Sequence, residues 1–277
     1  MYQLAFPAPA LAPFIESYWF VFKTDEVPVE LSVDVFVDLR ADLVFNFGAP
    51  YSRAVHGERP RLIRASNLDA QRIRPIRIEQ RGDVLISGVR FKSAGLSPFV
   101  TKAVDAWSDQ VVPVPAVFGK PGHALEAALR RAGADRAAQT QLFDAFFLER
   151  LSLTPAKQTL HTLKTAIEAE GGLERMDELC ARTGVPPRQL DRLFRAHLGF
   201  PPKAFARVVR FQRALTRLKR DPGCTLAAVA AECGYYDQPH FAREFKALSG
   251  TAPSARVGYF PEGAPSDFSP NLVQFTS

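Results

Sequence analysis

The sequence predicts an α+β chain of two domains, a small β-barrel with a helical extension followed by an all-α domain in which two helix-turn-helix units are joined by a long helix. Three observations predict this: strand-like alternation concentrated between Val29 and Phe91, a helical pattern that occurs twice near the C-terminal end, and positive charge that collects with that repeat. The 277 residues, 47% of them apolar, leave room for two cores of ordinary composition.

The β half comes first. Val33, Val35, Val37 and Leu39 alternate with Asp34, Phe36 and Asp38, and an apolar run follows from Leu43 to Phe47. Arg72 to Phe91 continues in the same style through Ile73, Ile76, Ile78, Val84, Leu85, Ile86 and Val89. Turn signals fall at Arg40 to Asp42, Gly48 to Pro50 and Arg81 to Asp83, so several short strands close in sequence predict a small barrel or sandwich. Helices are expected over Gly95 to Ala106, Ala124 to Ala132 and Ala137 to Leu151. The last carries Leu142, Phe143, Phe146, Phe147 and Leu151, a stripe that buries against the barrel or pairs two subunits; pairing into a dimer is the favoured expectation. Residues 1–151 then form the first domain. SLTPAK (152–157) is a linker, residues 158–260 the second domain, and 261–277 an irregular tail.

The repeat is the strongest signal. LDRLFRAHLG (Leu190 to Gly199) lies on FAREFKALSG (Phe241 to Gly250) at an offset of 51, and Met176, Leu179, Ala181 and Gly184 lie on Leu226, Val229, Ala231 and Gly234 at an offset of 50. In each copy a short apolar-striped helix ends at glycine, Gly184 or Gly234, and a second helix begins at Pro186–Pro187 or behind the N-cap Asp237. Two short helices joined by a tight turn form a helix-turn-helix whose second helix presents its outer face to a DNA major groove, or else a helical hairpin that only packs.

Charge favours the first reading. From Ala156 to Phe260 there are 17 Lys plus Arg against 10 Asp plus Glu, whereas the remaining residues hold 18 against 19. The cation-rich run Arg188, Arg192, Arg195, Lys203, Arg207, Arg210, Arg213, Arg217, Lys219 and Arg220 suits phosphates and counterion release, though a solvated charged face has the same composition. Between the units, Pro202 to Arg220 reads as one helix of about 27 Å, long enough to hold two reading helices roughly one turn of B-DNA apart.

Other classes fit poorly. No run of eighteen apolar residues occurs, and MYQLAFPAPA does not read as a cleavable leader, so a cytoplasmic protein with no membrane partner is expected. Cys180, Cys224 and Cys233 lack zinc spacing, and the first half holds only His56 and His123 as imidazoles. G-x-S-x-G, P-loop and G-x-G-x-x-G patterns are absent. Accordingly no catalytic residue, metal or cofactor is expected; the alternative is a ligand-processing enzyme whose helical domain binds nucleic acid without sequence preference.

CGYYDQPHFAREFKALSGTAPSARV (Cys233 to Val257), preceded by GVPPRQLDRLFRAHLGFPPKAF (Gly184 to Phe205), resembles the DNA-binding domain of AraC/XylS-type transcription regulators over roughly Gln158 to Phe260. The first half, through PFIESYWFV, DLVFNFG and ISGVRFKSAGLSPF, resembles the cupin-like domain fused to some of them. The resemblance implies a sequence-specific regulator of double-stranded DNA whose N-terminal domain senses a small effector, dimerises, or both, with RNA polymerase as a further partner. It implies base-reading positions at Arg188, Asp191 and Arg192 in the first unit and at Gln238, Pro239, His240 and Arg243 in the second. Asp191 either reads a cytosine or orients a neighbouring arginine, and Pro239 shifts the second helix toward backbone positioning. Arg195, Lys203, Arg207, Arg210, Arg213 and Lys246 are the expected phosphate contacts.

For the effector, Trp19, Phe36, Phe45, Phe47 and Phe91 are expected either to line an apolar pocket or simply to pack a core. Arg74, Arg77 and Arg90 are candidate partners for the carboxylate of a fatty-acid-like ligand, or are simply exposed.

Overall fold

A computed structural model describes residues 2–23, 29–221, 223–254 and 272–273. Its first half is built on two antiparallel sheets. One has the order β1 (Tyr2–Ala5), β2 (Ile15–Lys23), β9 (Val84–Phe91), β4 (Asp42–Asn46), β7 (Asn67–Asp69) and β10 (Val111–Pro113). The other runs β11 (Leu272–Val273), β3 (Val29–Val35), β8 (Ile76–Gly82), β5 (Tyr51–Val55) and β6 (Arg61–Ile63). The expected barrel is therefore an open two-sheet sandwich, because β1 and β10 end the first sheet instead of closing onto the second.

The larger sheet is buried on both faces, and strand alternation sorts its residues. From β2, β4 and β9, the side chains of Tyr18, Phe20, Leu43, Phe45, Val89 and Phe91 face the helices. Their neighbours Trp19, Val21, Val44, Val84 and Ile86 face the second sheet. Trp19 lies opposite Gly88 in the β2–β9 register, where a Cβ would fall 2.2 Å from its ring, so only glycine fits beneath the indole.

Helices α1 (Val114–Ala132) and α2 (Arg136–Arg150) cover the first face. α1 starts ten residues before its expected beginning and bends at Gly119, which has φ +62°. The helix expected over Gly95 to Ala106 is instead two short 3-10 turns, Ser97–Phe99 and Val104–Trp107, since Pro98 and the residues after it do not sustain an α ladder. Phe146 and Phe147 of α2 pack in a ring cluster with Phe91, Phe99 and Phe118, and Phe143 packs against Tyr18 and Phe45. The three phenylalanines of α2 are consumed in the core of their own chain.

In SLTPAK, Thr154 caps α3 (Pro155–Ala169), its hydroxyl accepting from the Lys157 N–H. The second half then runs α4 (Met176–Thr183), α5 (Pro187–Leu198), α6 (Pro202–Arg220), α7 (Leu226–Glu232) and α8 (Gln238–Ser249). Of the 261–277 tail, all but Leu272–Val273 lies outside the described residues; those two pair antiparallel with β3.

The two halves share a core. Phe36, Val37 and Leu39, which follow β3, are buried among the helices, with the Phe36 ring centroid 6.4 Å from that of Phe211. Leu39 takes φ +55°, a backbone strain held in place by its full burial.

Candidate nucleic-acid interface and inter-sheet cavity

Each helix-turn-helix is made by local chemistry. Gly184 takes φ +68° and ends α4, after which Pro186 caps α5 and Pro187 occupies its first turn. Gly234, at φ +73°, turns the chain after α7. Asp237 then caps α8, its carboxylate accepting from the His240 N–H at 2.6 Å. Leu190, Leu193, Phe194 and Leu198 of α5 bury in the same core as Phe241, Phe245 and Leu248 of α8. The opposite faces are open.

On α5, Arg188, Arg192 and Arg195 are exposed. Asp191 accepts from the Arg195 Nε at 2.8 Å, which fits an orienting role better than a base contact. On α8, Gln238, Pro239, Arg243 and Lys246 are exposed and His240 is half-buried; the His240 Nδ1 accepts from the Tyr236 N–H at 3.4 Å.

The phosphate candidates divide. Lys203 and Arg213 are exposed. Arg207 donates through Nε to Glu244 at 2.8 Å, and Arg210 lies 3.9 Å from the same carboxylate, so both tie α6 to α8. Tyr236, 92% exposed in the turn before α8, carries no signal in the sequence; only a burial comparison separates it from its neighbour Tyr235, which is buried against Phe241.

The domains meet at the far ends of the reading helices. α5 packs on the Val104–Trp107 turn, Ser108 Oγ donates to the Gly199 carbonyl at 3.0 Å, and Ser97 Oγ lies 2.9 Å from His197 Nδ1. Burial, followed by nearby Lys157, holds the His197 imidazole below its ordinary pKa.

Between the sheets lies a cavity of about 110 Å³. Its walls are aliphatic, including Val35, Val44, Ile78 and Ile86, and Trp19 and Tyr51 close its sides. Its floor is charged. Arg72, only 2% exposed, reaches Asp69 at 3.8 Å, while Arg53 holds both oxygens of Asp69 at 2.8 and 2.9 Å. Among the described residues Trp19 Nε1, Asp42 Oδ1, Arg72 Nε and Gln80 Oε1 are buried there without a hydrogen-bond partner, whereas buried polar groups are ordinarily paired. Burial pushes the Asp42 carboxyl above its ordinary value against the pull of Arg90. Burial acts the same way on Asp38, but the guanidiniums of Arg90, Arg40 and Arg72 win and hold it below the usual carboxylate range.

Of the residues expected to meet a ligand, Trp19 lines this cavity. Phe36 packs against α6 instead, Phe45 and Phe91 fill the core under α2, and Phe47 lies under the Arg130 guanidinium at 4.8 Å. Arg74 is exposed and paired with Glu58, and Arg90 is bonded to Asp38 at 2.6 Å beside the floor. Strand parity explains the misses: Phe45 and Phe91 fall on the helix-facing side, opposite Val44 and Ile86.

Two helices with exposed outer faces, α5 and α8, held by the connecting helix α6, define a double helix-turn-helix protein with a β-sandwich attached. Residues 179–256 match the family described as Helix-turn-helix domain, and residues 3–113 match a domain of unknown function, DUF6597. A probable AraC family transcriptional regulator from Rhodopseudomonas palustris is 30% identical, the match covering 36% of this chain and 94% of that one, with a TM-score of 0.33. The HTH-type transcriptional regulator CdhR of Pseudomonas aeruginosa is 34% identical over 88 residues, which are 32% of this chain and 26% of that protein. ToxT from Vibrio cholerae is 10% identical over 84% of this chain and 96% of its own, with a TM-score of 0.45. The chain belongs to the AraC family of transcription regulators. It spans about a quarter of the length of the curated relatives it matches. Among the described residues no helix is long and apolar enough to cross a membrane.

Proposed function

We propose that this protein is a sequence-specific DNA-binding transcription regulator whose N-terminal sandwich senses a small effector. The observation that carries the reading is the pair of exposed faces, Arg188 with Arg192 on α5 and Gln238 with Arg243 on α8, projected from a single buried core. Arg188 and Arg192 suit guanine N7 and O6, while Lys203, Arg213 and Lys246 suit phosphates. No enzymatic step is assigned. The proposed partners are duplex DNA in the cytoplasm and, in activation, RNA polymerase; a homodimer would have to form on a surface other than the buried stripe of α2.

The inter-sheet cavity supports effector sensing. Aliphatic walls over a floor with unsatisfied N–H and oxygen groups suit a small amphiphilic molecule with a polar head. A transmission route is also built in, because Asp38 beside the floor follows Val37, which is bonded to α6 and α8.

The test is selection of bound duplexes from a random library at about 0.15 M salt. The full chain is required, because Phe36, Val37 and Leu39 complete the helical core. A motif with two submotifs about one helical turn apart is expected. Equal recovery of all sequences would favour a nonspecific anchor and overturn the proposal.

A further inference from the structure

The charge balance of the first half hides one local anomaly. The hairpin of β5 and β6, with the residues around it, exposes His56, Arg59, Arg61, Arg64 and Arg74, against which stand Glu58, paired with Arg74, and the half-buried Asp109. The four arginines line a concavity of about 530 Å³. In the register of the two strands Arg61 lies directly opposite Arg53, an unfavourable like-charge pair that the buried Asp69 relieves from the Arg53 side only. β6 is an edge strand, and edges are often blunted by charge; one or two cations suffice for that. Arg59, Arg61 and Arg64 around one hollow, each able to fork onto two oxygens, with Arg74 held beside them by Glu58, fit a polyanion.

Position identifies the polyanion. Pro239, Arg243, Lys246 and Gly250 fall at spacings of four, three and four, and so share one face of α8 and its cap. Where that face ends, the hairpin begins: a Cβ on Gly250 would lie 3.1 Å from His56 Nδ1. His56 follows Val55 of the hollow's wall, so the arginine-lined hollow lies beside the end of that face of α8.

We propose that the β5–β6 hairpin contacts the phosphates of the duplex beyond the segment read by α8, so that the N-terminal domain itself holds DNA. This rests on the DNA-binding reading above. It makes affinity depend on flanking duplex whose sequence is not read.

The experiment compares the full chain with the triple variant Arg59→Ser, Arg61→Ser, Arg64→Ser on two duplexes. One carries only the selected motif, and the other adds about ten base pairs, one helical turn, on each side. On the longer duplex the variant should bind about tenfold or more weakly, and its log-affinity against log-salt slope should be shallower by about 0.9 for each phosphate it no longer neutralises. On the shorter duplex the two proteins should match. The charge-keeping variant with lysine at all three positions should retain most of the slope, as should Arg77→Ser, an exposed arginine of the same sheet paired with Asp34. Equal affinity and slope on the longer duplex would overturn the proposal. Failure of the unsubstituted chain to bind any duplex would instead remove the DNA-binding reading beneath it.

Discussion

The Gln212 side-chain amide donates to the Val37 carbonyl at 2.7 Å, and the Val37 N–H donates to the Leu248 carbonyl at 3.0 Å. One residue of the sandwich is thus bonded both to the helix between the two reading units and to the second reading helix. The next residue, Asp38, turns the other way and accepts from buried Arg90 at 2.6 Å. A polar ligand head competing for the floor arginines would act one peptide away from α6 and α8. Such a contact becomes allosteric only if occupancy changes DNA affinity, a coupling that is measurable as a ratio of dissociation constants.

Phe36→Ala tests whether the helical domain needs its plug. Removing a buried phenylalanine ring costs about 3–5 kcal/mol. Because this ring packs against Phe211 in the helical core, helical circular dichroism should disappear at a lower denaturant concentration than in the parent chain. An unchanged midpoint would mean that the helices close without the sandwich.

His197 gives the domain contact a pH dependence. Its pKa is depressed in the folded chain, whereas an unfolded histidine titrates near 6.5. Below that pH the unfolded chain takes up a proton that the folded chain resists, so this contribution is full above about 6.5 and is lost on acidification. The melting temperature of the parent should therefore fall more between about pH 7.5 and 5.5 than that of His197→Gln. Parallel falls would refute the assignment.

Two arginine substitutions separate reading from holding. Arg192→Ala should cost about 1–3 kcal/mol on the selected motif and relax preference at one base pair. Arg213→Ala should weaken all sequences alike and reduce the salt slope by about 1. Binding-site selection repeated with each variant distinguishes them, and a sequence-specific loss in Arg213→Ala would invert the two roles.

Glu244 restrains two cations that the duplex would otherwise attract, Arg207 at 2.8 Å and Arg210 at 3.9 Å. Glu244→Gln should steepen the salt dependence of DNA binding while lowering stability by no more than about 1 kcal/mol, as expected for a partly exposed pair. A shallower slope would show that Glu244 holds the two arginines in their DNA-contacting positions.

The helical half is legible in the sequence because its signals are local. Gly184, Gly234 and Gly250 mark helix ends by themselves, and the connecting helix starts at Pro202 and ends at Arg220 as its apolar spacing requires. Arg207 and Arg210 escape sequence reasoning for a non-local reason: Glu244 reaches them from a helix more than thirty residues away in sequence. In the sandwich most signals are of that kind. β4 pairs with β9 and with β7, and Asp42 lies opposite both Arg90 and Asp69, a juxtaposition that no spacing along the chain encodes. Arg72 and Gln80 look like surface residues until the pairing buries them. Phe36 follows the strand alternation in sequence, yet it lies past the end of β3 and packs against the other domain.

The plug formed by Phe36, Val37 and Leu39 also sets an order of events during synthesis. Those residues leave the ribosome roughly 200 residues before Leu248, which at about 5–20 residues per second is an interval of about 10–40 s. For that time the growing chain carries an apolar segment whose resting place does not yet exist. Nascent-chain protection by chaperones should therefore concentrate on Phe36, Val37 and Leu39 until α8 is made.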